Sequence, residues 1–244
     1  MFTATSRPMR SLLSTLLIGS AFTLSASAIA QSTPIPMEES NISSKVTEYA
    51  FQVAPNDHVI GEADAPNTLI VYASVVCGHC AKWFTHDYPI IKEELIDTGD
   101  LKLVFREFPT YPADIAVLGF QLANCAPQED FMNVILHQME NQETTFEALK
   151  KGQAVEYFVQ MSKLAGIESE ADMFTCYENK NGLMRIEKSL ERAQAAKVKA
   201  VPALILNEEL MKGMNGAEHV LAALGKDISH LDQKDEIHDE HDHN

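Results

Sequence analysis

The chain has 244 residues, 45% of them hydrophobic and 22% charged, enough apolar content to bury the core of one large domain or of a small domain carrying an insertion. Its 19 Lys and Arg residues face 35 Asp and Glu residues, giving a formal net charge of -16. Such a surface repels phosphate backbones and anionic lipid, which excludes nucleic acid as a partner and leaves solubility as the plain reading of the charge.

In chain order, "MFTATSRPMR" is basic and free of acids, "SLLSTLLIGSAFTLSA" is an apolar core, and "ASAIAQ" places Ala28 and Ala30 in an A-x-A pattern. Residues 1–30 therefore read as a secretory signal peptide cleaved after Ala30. The competing reading is an uncleaved N-terminal anchor. No second apolar run of spanning length follows, so the mature chain is expected to have no stable membrane insertion. It is expected in an oxidising compartment such as the periplasm, where disulfides persist. The Pro- and Ser-rich "QSTPIPMEESNISSK" points to a flexible segment over residues 31–56. Asn41-Ile42-Ser43 fits a glycosylation acceptor, which carries meaning only in a eukaryotic host.

"APNDHVIGEADAPN" is a turn-rich lead-in to "TLIVYAS" (Thr68–Ser74), a short buried strand by its β-branched and aromatic content. A helix is expected over Cys80–Gly99, with Pro89 as a kink and Gly99 as its stop. "LKLVFREF" (Leu101–Phe108) alternates and reads as a second strand. Strand, helix and strand in succession suggest a right-handed βαβ unit with parallel strands. From Pro112 to Lys197 the apolar spacing is helical throughout. Strand character returns at Val201–Asn207, with Met211–Gly213 as a short hairpin partner and Gly216–Gly225 as a closing helix. Residues 229–244 form an acidic, His-rich tail expected to be solvated. Its His238, His241 and His243 could bind a divalent metal weakly, against the simpler reading of a silent tail.

Cys77 and Cys80 stand two residues apart at the junction of the first strand and the helix. A structural zinc site usually needs a second such pair, and Cys125 and Cys176 are single and far apart. A structural 77–80 disulfide would close a loop too small to constrain the unfolded chain. Redox cycling fits better. At the start of a helix the backbone amides lack partners and the dipole is positive, so Cys77 is favoured as a thiolate. Cys80, one turn further in, is expected to be buried. That asymmetry makes Cys77 the attacking sulfur and Cys80 the resolving one. His79 can add charge or a hydrogen bond to the thiolate.

"YASVVCGHC" followed by a helix, with "KAVPALIL" late in the chain, resembles the thioredoxin superfamily, and within it the DsbA-type thiol:disulfide oxidoreductases. The resemblance covers roughly 57–226. It implies an α/β, thioredoxin-like fold with an inserted helical domain: residues 57–110 and 198–228 as the two parts of the thioredoxin-like domain, 111–197 as the insert. The 122 residues from Cys80 to Pro202 match a chain with such an insert and are too many for a bare thioredoxin. The resemblance also implies a cis peptide at Val201-Pro202 facing the dithiol. Read without the family, Pro202 is a trans proline at the first residue of a strand.

The implied activity is disulfide donation to exported proteins through a mixed disulfide, with no cofactor and no metal. The implied partners are reduced, unfolded or folding exported proteins, together with a membrane or soluble redox partner that resets the disulfide. Gly78 departs from the Pro usual in DsbA. Gly-His is the dipeptide of protein disulfide isomerases, which leaves the oxidising strength open. "TLIVYAS" also lacks the buried acid that many members carry on this strand.

Cys125 and Cys176 are expected to pair as a structural disulfide, as in some DsbA relatives, the alternative being two buried thiols. Trp83 and Phe84 read as core residues beside the motif. Two rival functions stand. One is a reductase or isomerase on the same scaffold, although Gln31–Lys45 is too short and polar for an isomerase's dimerisation domain. The other is a metal-binding envelope protein using the tail and the 77–80 thiolates.

Overall fold

The computed structural model describes residues 49–213 and 216–231. The signal peptide read at 1–30 and the tail's His238, His241 and His243 lie outside the described residues, whereas His230, at the start of the tail, sits with its Nε2 3.2 Å from Glu94 Oε1. Five strands form one sheet: β1 (His58–Ile60), β2 (Asn67–Ala73), β3 (Leu101–Glu107), β4 (Ala203–Leu206) and β5 (Glu209–Leu210), in the order β1-β3-β2-β4-β5. β2 and β3 run parallel, with Leu69 opposite Leu103 and Ala73 opposite Glu107. The other pairings are antiparallel.

Both faces of β2 are covered, which is why "TLIVYA" reads as an unbroken apolar run rather than an alternating one. Leu69, Val71 and Ala73 point into the larger core, with Leu103, Phe105, Leu204 and the helices. Ile70 and Tyr72 point to the opposite face, against Ala50, Ala193 and Ile205. Helix α1 (Gly78–Ile91) connects the two parallel strands through a π-helical turn at Lys92–Ile96. Pro89 lies inside α1, and the helix continues past it for two residues before the π turn begins.

The insert consists of α2 (Ala113–Cys125), α3 (Phe131–Glu140), α4 (Gln142–Lys150), α5 (Ala154–Ser162), α6 (Glu170–Tyr177) and α7 (Lys180–Ala195). Short 3-10 turns precede α3 and follow α5. The chain then returns to β4 and β5 and ends, among the described residues, in α8 (Ala217–Ala223), which packs on α1. At Gly119 of α2 an added Cβ would run into the Gln138 side chain and stand 2.8 Å from Val75 Cγ2. This close approach seats α2 against α3 and the loop that leads into α1.

Three expectations need correction. The lead-in "APNDHVIGEADAPN" contains a strand, β1, which pairs His58–Ile60 with Leu103–Phe105. The hairpin partner of β4 is Glu209–Leu210 and not Met211–Gly213. Asn207 and Glu208 take positive φ of 46° and 70°, so the chain reverses in two residues. The segment 31–56, read as flexible, includes residues 49–56 that are packed in place. Ala50 is fully buried, and Arg106 from β3 donates to Ala50 O at 2.8 Å and Gln52 O at 2.6 Å. The same guanidinium donates to the Tyr72 hydroxyl at 2.9 Å and pairs with Asp57 at 2.8 Å, so a fully buried arginine has its charge compensated.

Candidate active site

β2 ends at Ala73, and a turn closed by Cys77 N–H donating to Ser74 O at 3.1 Å delivers Cys77 to the N-cap of α1. Cys77 is extended, with φ -92° and ψ 116°, and no side chain caps the helix, so the sulfur itself faces the free amides. Cys77 is half-buried and Cys80 fully buried, and both are free thiols.

Their acidities diverge for identifiable reasons. A hydrogen bond from Cys80 holds Cys77 down to about 6, helped by the N–H groups of Cys80 and His79 and by the imidazole charge, against desolvation. Cys80 moves the other way: its proton is held by Cys77 and its burial disfavours charge, so it stays a thiol. One sulfur is poised to react and its neighbour keeps a proton. Gly78 and His79 are both exposed between them.

The Val201-Pro202 peptide is cis and brings Val201 O to 3.6 Å from Cys77 Sγ. The Tyr111-Pro112 peptide is also cis, which sequence reasoning did not anticipate. Trp83 and Phe84 are buried in the core and stack edge to face, with centroids 4.7 Å apart. Cys125 and Cys176 are joined as a disulfide across α2 and α6, away from the dithiol in sequence and element, with Cα atoms 6.1 Å apart. Among the described residues, no group of three or more His, Cys, Asp or Glu side chains could hold a metal ion.

The thioredoxin family model matches residues 53–226. The chain belongs to the thioredoxin family. Two solved structures narrow the architecture. Alpha-DsbA1 of Wolbachia pipientis superposes with a TM-score of 0.62 at 23% identity, covering 74% of this chain and 94% of that one. BdbD from Bacillus subtilis gives 0.61 at 17% identity, covering 72% and 95%. The fold is thus that of a DsbA-like thioredoxin with a helical insertion. A Rickettsia felis protein named as a protein-disulfide oxidoreductase is 32% identical over 111 residues, which are 45% of this chain and 40% of that protein. The match therefore spans less than half of that relative's length.

Within this thioredoxin fold the departure at Gly78 has a physical consequence. An added Cβ would meet nothing within 4 Å, and the position is the first of the helix, where proline is favoured. Cys77, in front of it, already has the extended backbone that a following proline demands. The N–H groups that support the thiolate belong to His79 and Cys80, so proline removes neither. Gly78→Pro is expected to fold normally and to gain about 0.4–1 kcal/mol by restricting the unfolded chain. Denaturant titration of the reduced form checks this; a loss of stability contradicts it.

Sequence reasoning missed two features near the site. Gln142, first residue of α4, donates to Val75 O at 2.7 Å and to Cys77 O at 3.1 Å. Glu107, at the end of β3 beside Ala73, is buried, and desolvation pushes its carboxyl up to about 7. It accepts from Asn124 Nδ2 at 3.3 Å and lies 4.0 Å from His58, which burial lowers to about 4. Neither had a sequence signal, because each depends on where the insert lands against the sheet.

Proposed function

We propose that the protein is a periplasmic thiol:disulfide oxidoreductase that introduces disulfide bonds into exported proteins through Cys77 and Cys80. The opposed acidities of the two sulfurs at one helix start carry this reading. In the oxidised enzyme a substrate thiolate attacks Cys77 Sγ, a mixed disulfide forms, and Cys80 leaves and takes up a proton. A second substrate thiolate then attacks the substrate sulfur of that bond and expels Cys77 as a thiolate. The substrate dithiol is oxidised to a disulfide, the enzyme pair is reduced by two electrons, and a redox partner must reoxidise it. In the reverse direction Cys80 attacks Cys77 Sγ and resolves the mixed disulfide. Val201 and Pro202 offer backbone beside Cys77 along which an extended substrate chain can lie as an added strand. The signal-like residues 1–30 support the location. The described residues contain no helix long and apolar enough to cross a membrane.

The sign of the pH effect follows from the depressed thiol. Stabilisation of the reduced form is complete above the ordinary thiol value of 9.0 and is lost as pH falls through about 6. At pH 7 only its last part is expressed, no more than about 1 kcal/mol once screening of the partly exposed sulfur is allowed for, or about 20 mV. The depressed thiol therefore moves the pair only modestly towards the oxidising side at pH 7. The same observation, with Gly78-His79, favours disulfide isomerisation as the second reading. Alkylation of the reduced protein tests the site: the rate should be half-maximal near pH 6, with label on Cys77 alone. A single midpoint near 9, or label shared with Cys80, would remove the basis for the mechanism.

A further inference from the structure

We propose that Gln142 is a positioning residue of the redox site, through which the helical insert holds the loop that presents Cys77. The inference deepens the reading above and rests on Cys77 being the attacking sulfur. Asn141, with φ -109° and ψ 23°, breaks the helical path between α3 and α4. The next residue, Gln142, is thereby placed over the turn between β2 and α1. Its single amide nitrogen donates to two carbonyls of that turn, Val75 O and Cys77 O.

Val75 lies beyond the end of β2, so its carbonyl has left the ladder, while Cys77 O already accepts the first helical bond, from Ala81 N at 2.9 Å. The two bonds therefore clamp the residues on either side of Val76. They also place the positive end of an amide dipole against the carbonyl of the residue that carries the thiolate. α3, which leads into Gln142, packs on α1. The insert thus meets the active-site segment through apolar packing of α3 and of α2 at Gly119, and through this polar side chain. The other groups that bear on Cys77 come from its own helix, Cys80 and His79, and from the Val201 carbonyl across the cleft.

The variants are Gln142→Ala, Gln142→Met and Gln142→Glu, read by thiolate absorbance of the reduced protein against pH and by thermal unfolding. Loss of the two donors in Gln142→Ala should raise the Cys77 midpoint by about half a unit to one unit. Gln142→Met fills the same space without donors and should give the same rise, which covers the case of an alanine variant that does not fold. Gln142→Glu keeps the length, donates nothing and adds a negative charge, so its rise should be larger than that of Gln142→Met. Folded Met and Glu variants that both titrate within about 0.2 of the wild type would overturn the positioning role. A wild-type protein with no thiol titrating below about pH 8 would overturn the redox reading itself, a distinguishable result.

Discussion

Cys77→Ser is expected to abolish disulfide donation to a reduced protein substrate, a loss of several orders of magnitude that leaves only the uncatalysed rate. The whole mechanism passes through a sulfur–sulfur bond at this atom, and a serine hydroxyl can neither form that bond nor ionise near neutral pH. The fold should be unaffected. Cys77 is half-buried at an N-cap, where serine is among the preferred residues. Cys80→Ala separates the two roles. It removes the thiol that donates to Cys77, so the Cys77 midpoint should rise from about 6, yet the attacking sulfur remains. Given a substrate that carries a disulfide, Cys77 attacks it and expels one substrate sulfur as a thiolate; with no Cys80 to resolve the bond, the mixed disulfide should accumulate and be visible on non-reducing gels. Turnover by Cys77→Ser, or failure of Cys80→Ala to trap any substrate, would contradict the assigned roles.

Removal of the Cys125–Cys176 bond should give the largest stability effect. The bond closes a sequence separation of 51 residues and ties the end of α2 to α6 within the insert. On the loop-entropy estimate it is worth about 4 kcal/mol, which in a domain of this size lowers the melting temperature by about 10 °C. The double substitution Cys125→Ala, Cys176→Ala tests this by thermal unfolding. Because neither cysteine shares an element with Cys77 or Cys80, the Cys77 midpoint should stay near 6 in the folded variant. A melting temperature within 2–3 °C of the wild type, about 1 kcal/mol, would show that the insert does not depend on the bond.

The parts of the fold that could be read from sequence are those in which local pattern and tertiary role agree. β2 and β3 are apolar enough to be seen, α1 begins where unsatisfied amides meet a cysteine, and the helical spacing from Pro112 to Lys197 shows in each segment. β1 was hidden because three residues bounded by turns have no periodicity to detect. Its strand character comes wholly from pairing with β3. The alternation in "LKLVFREF" marks a strand but gives no sign that both Arg106 and Glu107 are buried. Arg106 is buried because the segment at 49–57 folds over it, and Glu107 because α2 and α7 close around the edge of the sheet. The hairpin at Asn207-Glu208 lacks glycine, the usual sign of positive φ, so its partner strand was placed too late in the chain.

At the site, the C-x-x-C pair, its position at the helix start and the deeper burial of the second cysteine follow from helix geometry alone. Gln142 does not. It is 65 residues from Cys77 in sequence and reaches it only because α3 docks on α1.

The most direct test of the central claim is the reduction potential of the Cys77–Cys80 pair, measured by equilibration with glutathione and thiol trapping. A thiolate midpoint near 6 lies between the values of about 3.5 for DsbA and about 7 for thioredoxin. Those two proteins have potentials of about -120 and -270 mV, so the midpoint brackets the pair between them; as a disulfide donor to unfolded chains the pair is predicted to lie above about -230 mV. A value of about -230 mV or lower would mean that the pair rests reduced, and the protein would then be a reductase.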